Sequence, residues 1–101
     1  MPTSETRSPQ ADSRVVLYVR DGCHLCEAAV EVVRSVCEES TTDWVTIDID
    51  AIRETGPAGR ALAEEYADLV PVVVVDGVRR GYWRLDADRV RRALAAGGPG
   101  A

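Results

Sequence analysis

The sequence predicts an α/β fold in which a small four-stranded mixed sheet is flanked by helices, in the order β-α-β-α-β-β-α. Three observations predict it. Short runs of β-branched residues alternate with longer stretches whose apolar residues recur at helical spacing. A stretch of helical length separates the first two strands, which calls for a parallel crossover. Asp76-Gly77 separates the last two, a tight-turn signal that makes them an antiparallel hairpin.

Each element has its own reason. Arg14-Val15-Val16-Leu17-Tyr18-Val19 is an unbroken β-branched and aromatic run, as expected of a strand buried on both faces. Arg20-Asp21-Gly22 ends it. From Leu25 to about Glu39 the residues Cys26, Ala29, Val30, Val33, Val36 and Cys37 fall on one helical face. Trp44 to Ile49 alternates with period two and reads as the second strand. The helical segment after it is split at Gly56-Pro57, where Pro57 can open the second piece. Val72 to Val75 is the third strand and Val78 to Trp83 the fourth. Asp86 caps a last helix through Ala96, with Val90 and Leu94 inward.

The chain has 101 residues, 46% hydrophobic and 29% charged, with a formal net charge of −5. That allows one domain, expected over 14–96 between a disordered tail at 1–13 and a flexible one at 97–101. An acidic balance argues against nucleic acid or an anionic membrane as partner. The apolar stretch from Leu69 to Val75 is far short of the ~20 residues a bilayer crossing needs. The first residues carry no apolar signal region, so a cytoplasmic location is expected. There a close pair of cysteines is catalytic or metal-binding rather than a structural staple. All 12 basic residues are Arg, and Phe and Asn are missing, which reflects GC-rich coding.

The chemistry lies in Cys23-His24-Leu25-Cys26, at the junction of the first strand and first helix. A cysteine at a helix N-terminus meets unsatisfied N–H groups and the positive end of the helix dipole, both of which favour thiolate. Cys23 is therefore expected to be the nucleophile, with a lowered pKa, and Cys26 the less exposed, resolving thiol. Arg20, and His24 when protonated, would support a thiolate, whereas Asp21 and Glu27 oppose it. His24 reads equally well as an exposed polar filler. A zinc site would need four ligands. Cys37 stands 11 positions beyond Cys26 on the same helix, ~16 Å along the axis, and cannot complete one with the pair. Cys37 is expected to be a small core residue. Tyr18 and Tyr66 read as packing residues, and Glu38-Glu39 and Glu64-Glu65 as solvated helix faces. Trp83 is placed to line a groove.

The strand Val15 to Tyr18, then Arg20-Asp21-Gly22-Cys23-His24-Leu25-Cys26, and later Leu69-Val70-Pro71-Val72 before Asp76-Gly77, resemble a glutaredoxin-like member of the thioredoxin superfamily. The resemblance covers 14–96 and is strongest to short bacterial glutaredoxin-like proteins that share Cys-His-Leu-Cys and the Gly81-Tyr82-Trp83-Arg84-Leu85-Asp86 ending. It implies a thioredoxin fold and a Cys23/Cys26 dithiol that reduces protein or small-molecule disulfides in cell redox homeostasis, becoming a redox-active disulfide itself. Pro71 would be a cis proline beside the thiols. The Val70 backbone would then be free to pair with an extended substrate, as in strand addition. Arg20 would meet a carboxylate of glutathione, and Gly81, Tyr82 and Trp83 would line the substrate groove.

Three departures from the family pattern stand out, the first expected to alter the reduction potential and the last to bear on the electron donor. His24-Leu25 replaces the usual Pro-Tyr, Leu69 replaces a Thr, and Gly81-Tyr82-Trp83-Arg84 replaces a Gly-Gly-x-Asp. A bulky Tyr82 where close backbone approach is needed counts against glutathione. No tightly bound cofactor or metal is expected. The donor would be a low-molecular-weight thiol, glutathione or mycothiol, or a flavoprotein reductase, and the chain would act as a monomer. Two competing readings are an iron–sulfur or metal binder sharing a cluster between two chains, and a thioredoxin-fold interaction module without catalysis.

Overall fold

The computed structural model describes residues 13–96, so the tails expected at 1–13 and 97–101 lie outside the described residues apart from Ser13. Four strands, β1 (Val15–Val19), β2 (Trp44–Asp48), β3 (Val72–Val75) and β4 (Val78–Tyr82), form one sheet in the order β2-β1-β3-β4. β1 runs parallel to β2 and antiparallel to β3, and β3 and β4 form the hairpin. Helix α1 (His24–Ser40) makes the first crossover, and α2 (Ile49–Ile52), a 3₁₀ turn (Arg53–Thr55) and α3 (Pro57–Tyr66) make the second. Helix α4 (Ala87–Ala96) closes the chain. The expected order holds, with α2 and its 3₁₀ turn as the first helical piece.

Strand geometry sorts the apolar residues into two cores, because successive side chains point to opposite faces. Val15, Leu17, Val73 and Val75 pack with Val33, Val36, Cys37, Val90 and Leu94 from α1 and α4. Val16, Tyr18 and Val72 pack on the other face with Ile49, Ala63 and Tyr66. There the Tyr18 and Tyr66 rings meet edge to face at 5.1 Å, as packing residues. Cys37 is buried in the first core, and burial pushes its thiol up to about 11. At the far end of the sheet Arg14 pairs through both its Nε and Nη2 with the hairpin residue Asp76, and it also donates to the Leu94 carbonyl. One side chain thus joins β1, the hairpin and α4.

Two strand ends differ from expectation. β2 stops at Asp48 instead of reaching Ile49, because the Asp48 carboxylate accepts the Asp50 N–H at 2.8 Å and starts α2 there. β4 stops at Tyr82, because Trp83 turns to φ 64 and leaves the ladder. A register shift also interrupts the β3–β4 pairing. Val73 faces Gly81 and Val74 faces Arg79, which leaves Arg80 as an extra residue in a β-bulge.

Gly59 holds the two pieces of the second crossover together. A Cβ there would overlap the Ile52 carbonyl oxygen and Thr55 Oγ1. Gly59→Ala would ordinarily favour a helix by ~1 kcal/mol. Here the overlap should outweigh that gain and destabilise the protein by about 1–3 kcal/mol, as overpacking does. A urea titration checks the sign; an alanine variant as stable as the parent would contradict the packing described.

Candidate active site

The path from β1 into α1 delivers both cysteines of the pair. Beyond Val19 the chain turns at Asp21-Gly22, with Gly22 at φ 76, a conformation that favours glycine. Cys23 follows in extended geometry as the N-cap of α1, and its sulfur accepts the Cys26 N–H at 3.1 Å. The sulfur therefore occupies the position that a capping oxygen normally fills at the positive end of a helix. Cys23 is half-exposed, whereas Cys26 is buried, with 5% of its surface accessible. Burial is the main cause that pushes the Cys26 thiol up to about 12. Its hydrogen bond to Cys23 and the nearby Cys23 charge add to this, and a hydrogen bond from the Arg20 backbone partly offsets it.

The cysteines open into a cleft of about 300 Å³ shared with Arg20, Val30, Thr46 and Asp48. Arg20 is committed there. Its Nε and Nη2 donate to the Asp50 carboxylate at 3.2 and 3.3 Å, so Asp50, from the first turn of α2, takes the charge that was expected beside the thiols. His24 is exposed and lines neither this cleft nor the groove next to it.

That groove, of about 680 Å³, brings Gly81, Tyr82 and Trp83, the residues expected to form it, together with Leu25 and Val70. Arg84 and Arg89 also line it and were missed by the sequence reading. The available signal was the clustering of arginines after residue 78. The Val70–Pro71 peptide bond is cis, and Pro71 is buried. Val70 corrects one expectation. Its N–H is not free for a substrate, because it donates to the Tyr66 carbonyl at 3.1 Å. Its carbonyl accepts no hydrogen bond among the described residues. Trp83 is more than a wall of the groove. Its N–H is shared between the Leu69 and Pro71 carbonyls at 3.2 and 2.9 Å, and its indole Nε1 donates to the Asp68 carbonyl at 2.8 Å. The loop carrying Pro71 is thereby fastened to the end of β4.

Among the described residues no three His, Cys, Asp or Glu side chains gather into a metal site. None of the described helices is long and apolar enough to cross a membrane.

A family described as the Glutaredoxin-like domain (DUF836) matches residues 14–95. This chain belongs to the glutaredoxin-like family. An uncharacterized protein of Mycobacterium tuberculosis, Rv0508, is 37% identical to this glutaredoxin-like protein over 82 residues, covering 81% of this chain and 82% of its own. Among solved structures, Ne2328 from Nitrosomonas europaea is 30% identical with a TM-score of 0.64, over 81% of this chain and 91% of that one. The protein XcR50 from Xanthomonas campestris, solved by X-ray, is 32% identical with a TM-score of 0.61, over 83% and 99%. A glutaredoxin from Archaeoglobus fulgidus, 18% identical with a TM-score of 0.58 over 88% and 97%, shows the shared thioredoxin fold alone.

Two measurements follow from the thiols of this glutaredoxin-like protein. Iodoacetamide at pH 8 should modify Cys23 first, since with a value of about 12 only ~1 in 10,000 Cys26 thiols is ionised there. Peptide mapping reads the site, and equal labelling of Cys23 and Cys26 would contradict the burial. The second concerns alkaline stability. Cys26 and Cys37 sit above the ordinary thiol value of 9.0, so the folded chain keeps protons that the unfolded chain loses. Their contribution is complete below about pH 9 and is lost as pH rises towards about 11 to 12. Buried Tyr18 and Tyr66, also raised, act in the same direction. The urea midpoint should fall across that window, less steeply in Cys37→Ala.

Proposed function

We propose that this protein is a dithiol–disulfide oxidoreductase in which Cys23 attacks and Cys26 resolves. One observation carries the reading: the Cys23 sulfur caps α1 and receives the Cys26 N–H, while Cys26 is buried and keeps its proton. The Cys23 thiolate displaces one sulfur of a substrate disulfide, forming a mixed disulfide and releasing one substrate thiolate. Cys26 then gives up its proton and attacks Cys23, which frees the second substrate thiol and leaves a Cys23–Cys26 disulfide. Two electrons pass to the substrate. Family membership and the thioredoxin fold support the reading.

The substrate, a disulfide-containing protein or small molecule, lies along the groove between Leu25 and Trp83 in this proposal. Val70 offers it a carbonyl, and Pro71 shapes the edge beside it. A low-molecular-weight thiol, glutathione or mycothiol, or a flavoprotein reductase returns the electrons. The pairing of Arg20 with Asp50 and the bulk of Tyr82 both argue against glutathione held by an Arg20 carboxylate contact. The chain works as a monomer in a reducing compartment such as the cytoplasm.

The test is reduction of insulin and of a small mixed disulfide by the wild type, Cys23→Ser and Cys26→Ser, with each donor supplied in turn. Cys23→Ser should fall to background. Cys26→Ser should accumulate a covalent adduct on Cys23, visible by mass spectrometry. Equal rates for all three proteins would defeat the proposal, and so would a coloured dimer from anaerobic expression.

A further inference from the structure

The basic end of the chain is unexplained by thiol chemistry. Arg79, Arg80, Arg84, Arg89, Arg91 and Arg92 make up half of the 12 arginines of a chain whose net charge is −5. Between β4 and α4 lies a concavity of about 330 Å³ lined by Arg79, Arg80, Arg89, Arg92, Ala93 and Ala96, with no acidic residue in its wall. The Arg79 guanidinium is engaged elsewhere, 3.9 Å from Glu65 and 5.9 Å from the centres of the Tyr66 and Tyr82 rings. Arg91, also on α4, is paired with Glu39 and Asp88. Arg80, Arg89 and Arg92 have no ion pair among the described residues.

Two further features converge on Arg80. It is the extra residue of the β-bulge, and bulges re-aim side chains. With Gly81 it stands opposite Val73, a residue of the core that α4 covers. Its Nε is also shut away from solvent without a hydrogen-bond partner. A buried unsatisfied donor among like charges costs stability, and a ligand that accepts its hydrogen bond recovers that cost.

We propose that this pocket binds a phosphate-class oxyanion through Arg80, Arg89 and Arg92. A single carboxylate saturates one guanidinium fork. A tetrahedral dianion offers oxygens to three forks at once and better matches their charge. The ligand is free phosphate or a phosphoryl group on a larger molecule. Arg89 lines this pocket and the groove that runs from Leu25 to Trp83, so the two share one wall.

The experiment is thermal unfolding of the full chain at constant ionic strength, with inorganic phosphate, O-phosphoserine, succinate or chloride. Phosphate about five-fold above its dissociation constant should raise the midpoint by about 4–8 °C. Arg80→Gln and Arg92→Gln should lose the shift, and Arg60→Gln should keep it. In the wild type, phosphate should move the Arg80 Nε–H resonance, a readout that does not depend on how the variants fold. Tighter binding of inorganic phosphate supports the free ion, and tighter binding of O-phosphoserine supports a carried phosphoryl group. An equal shift with succinate, a shift that survives Arg80→Gln, or an unmoved Arg80 resonance would overturn the proposal. The readout involves neither Cys23 nor Cys26, so its failure leaves the oxidoreductase reading intact.

Discussion

The burial of β1 on both faces is the constraint from which the rest follows. Val15, Val16, Leu17 and Tyr18 are each at most 5% accessible, which requires a helical layer above and below and a neighbouring strand on either side. Nothing polar can interrupt such a strand without stranding a buried group. Its polar continuation, Arg20-Asp21-Gly22, therefore falls at the carboxyl edge of the sheet. The chain can turn there into α1 and present Cys23 at the helix start. Ligand sites of open α/β sheets tend to gather at this edge. The Cys23 sulfur owes its position to the four apolar side chains that fix this strand in the core.

The two cysteines of the pair differ because a helix has one exposed end and a buried side. At the N-cap a side chain faces both solvent and the free N–H groups. Three residues on, the same helix has turned Cys26 into the protein, where losing a proton is unfavourable. Chemically identical groups thus meet unequal surroundings from geometry alone. Pairing with Asp50 occupies the Arg20 guanidinium, the one cation in a cleft wall that also holds Asp21, Glu27 and Asp48. The ion pair is half-exposed, so it orients the side chains more than it stabilises the fold.

Patterns with a strict period were legible in the sequence. The Val15–Val19 run, the apolar face of α1 and the Asp76-Gly77 turn each appear in the structure as read, and Cys37 sits in the core as expected. What escaped depends on contacts between residues distant in sequence. Asp50 reaches Arg20 only because α2 begins one residue earlier than the alternation of β2 suggested. The Val70 amide looked free until α3 brought the Tyr66 carbonyl to it. The bulge at Arg80 breaks no rule of composition, so period-two reading passes straight through it. Trp83 lines the groove as its pattern suggests, while its positive φ and three backbone contacts are matters of tertiary fit.

The burial of Cys26 and Cys37 sets a covalent valence. With two of its three sulfurs enclosed, the folded chain offers its surroundings a single point of attachment at Cys23. A disulfide from the folded chain to another molecule is expected at Cys23 alone, so two such chains would join as a pair and no further. Cys26 stands three residues further along the same helix with its sulfur enclosed. Of its three sulfurs the folded chain thus turns only that of Cys23 toward its surroundings.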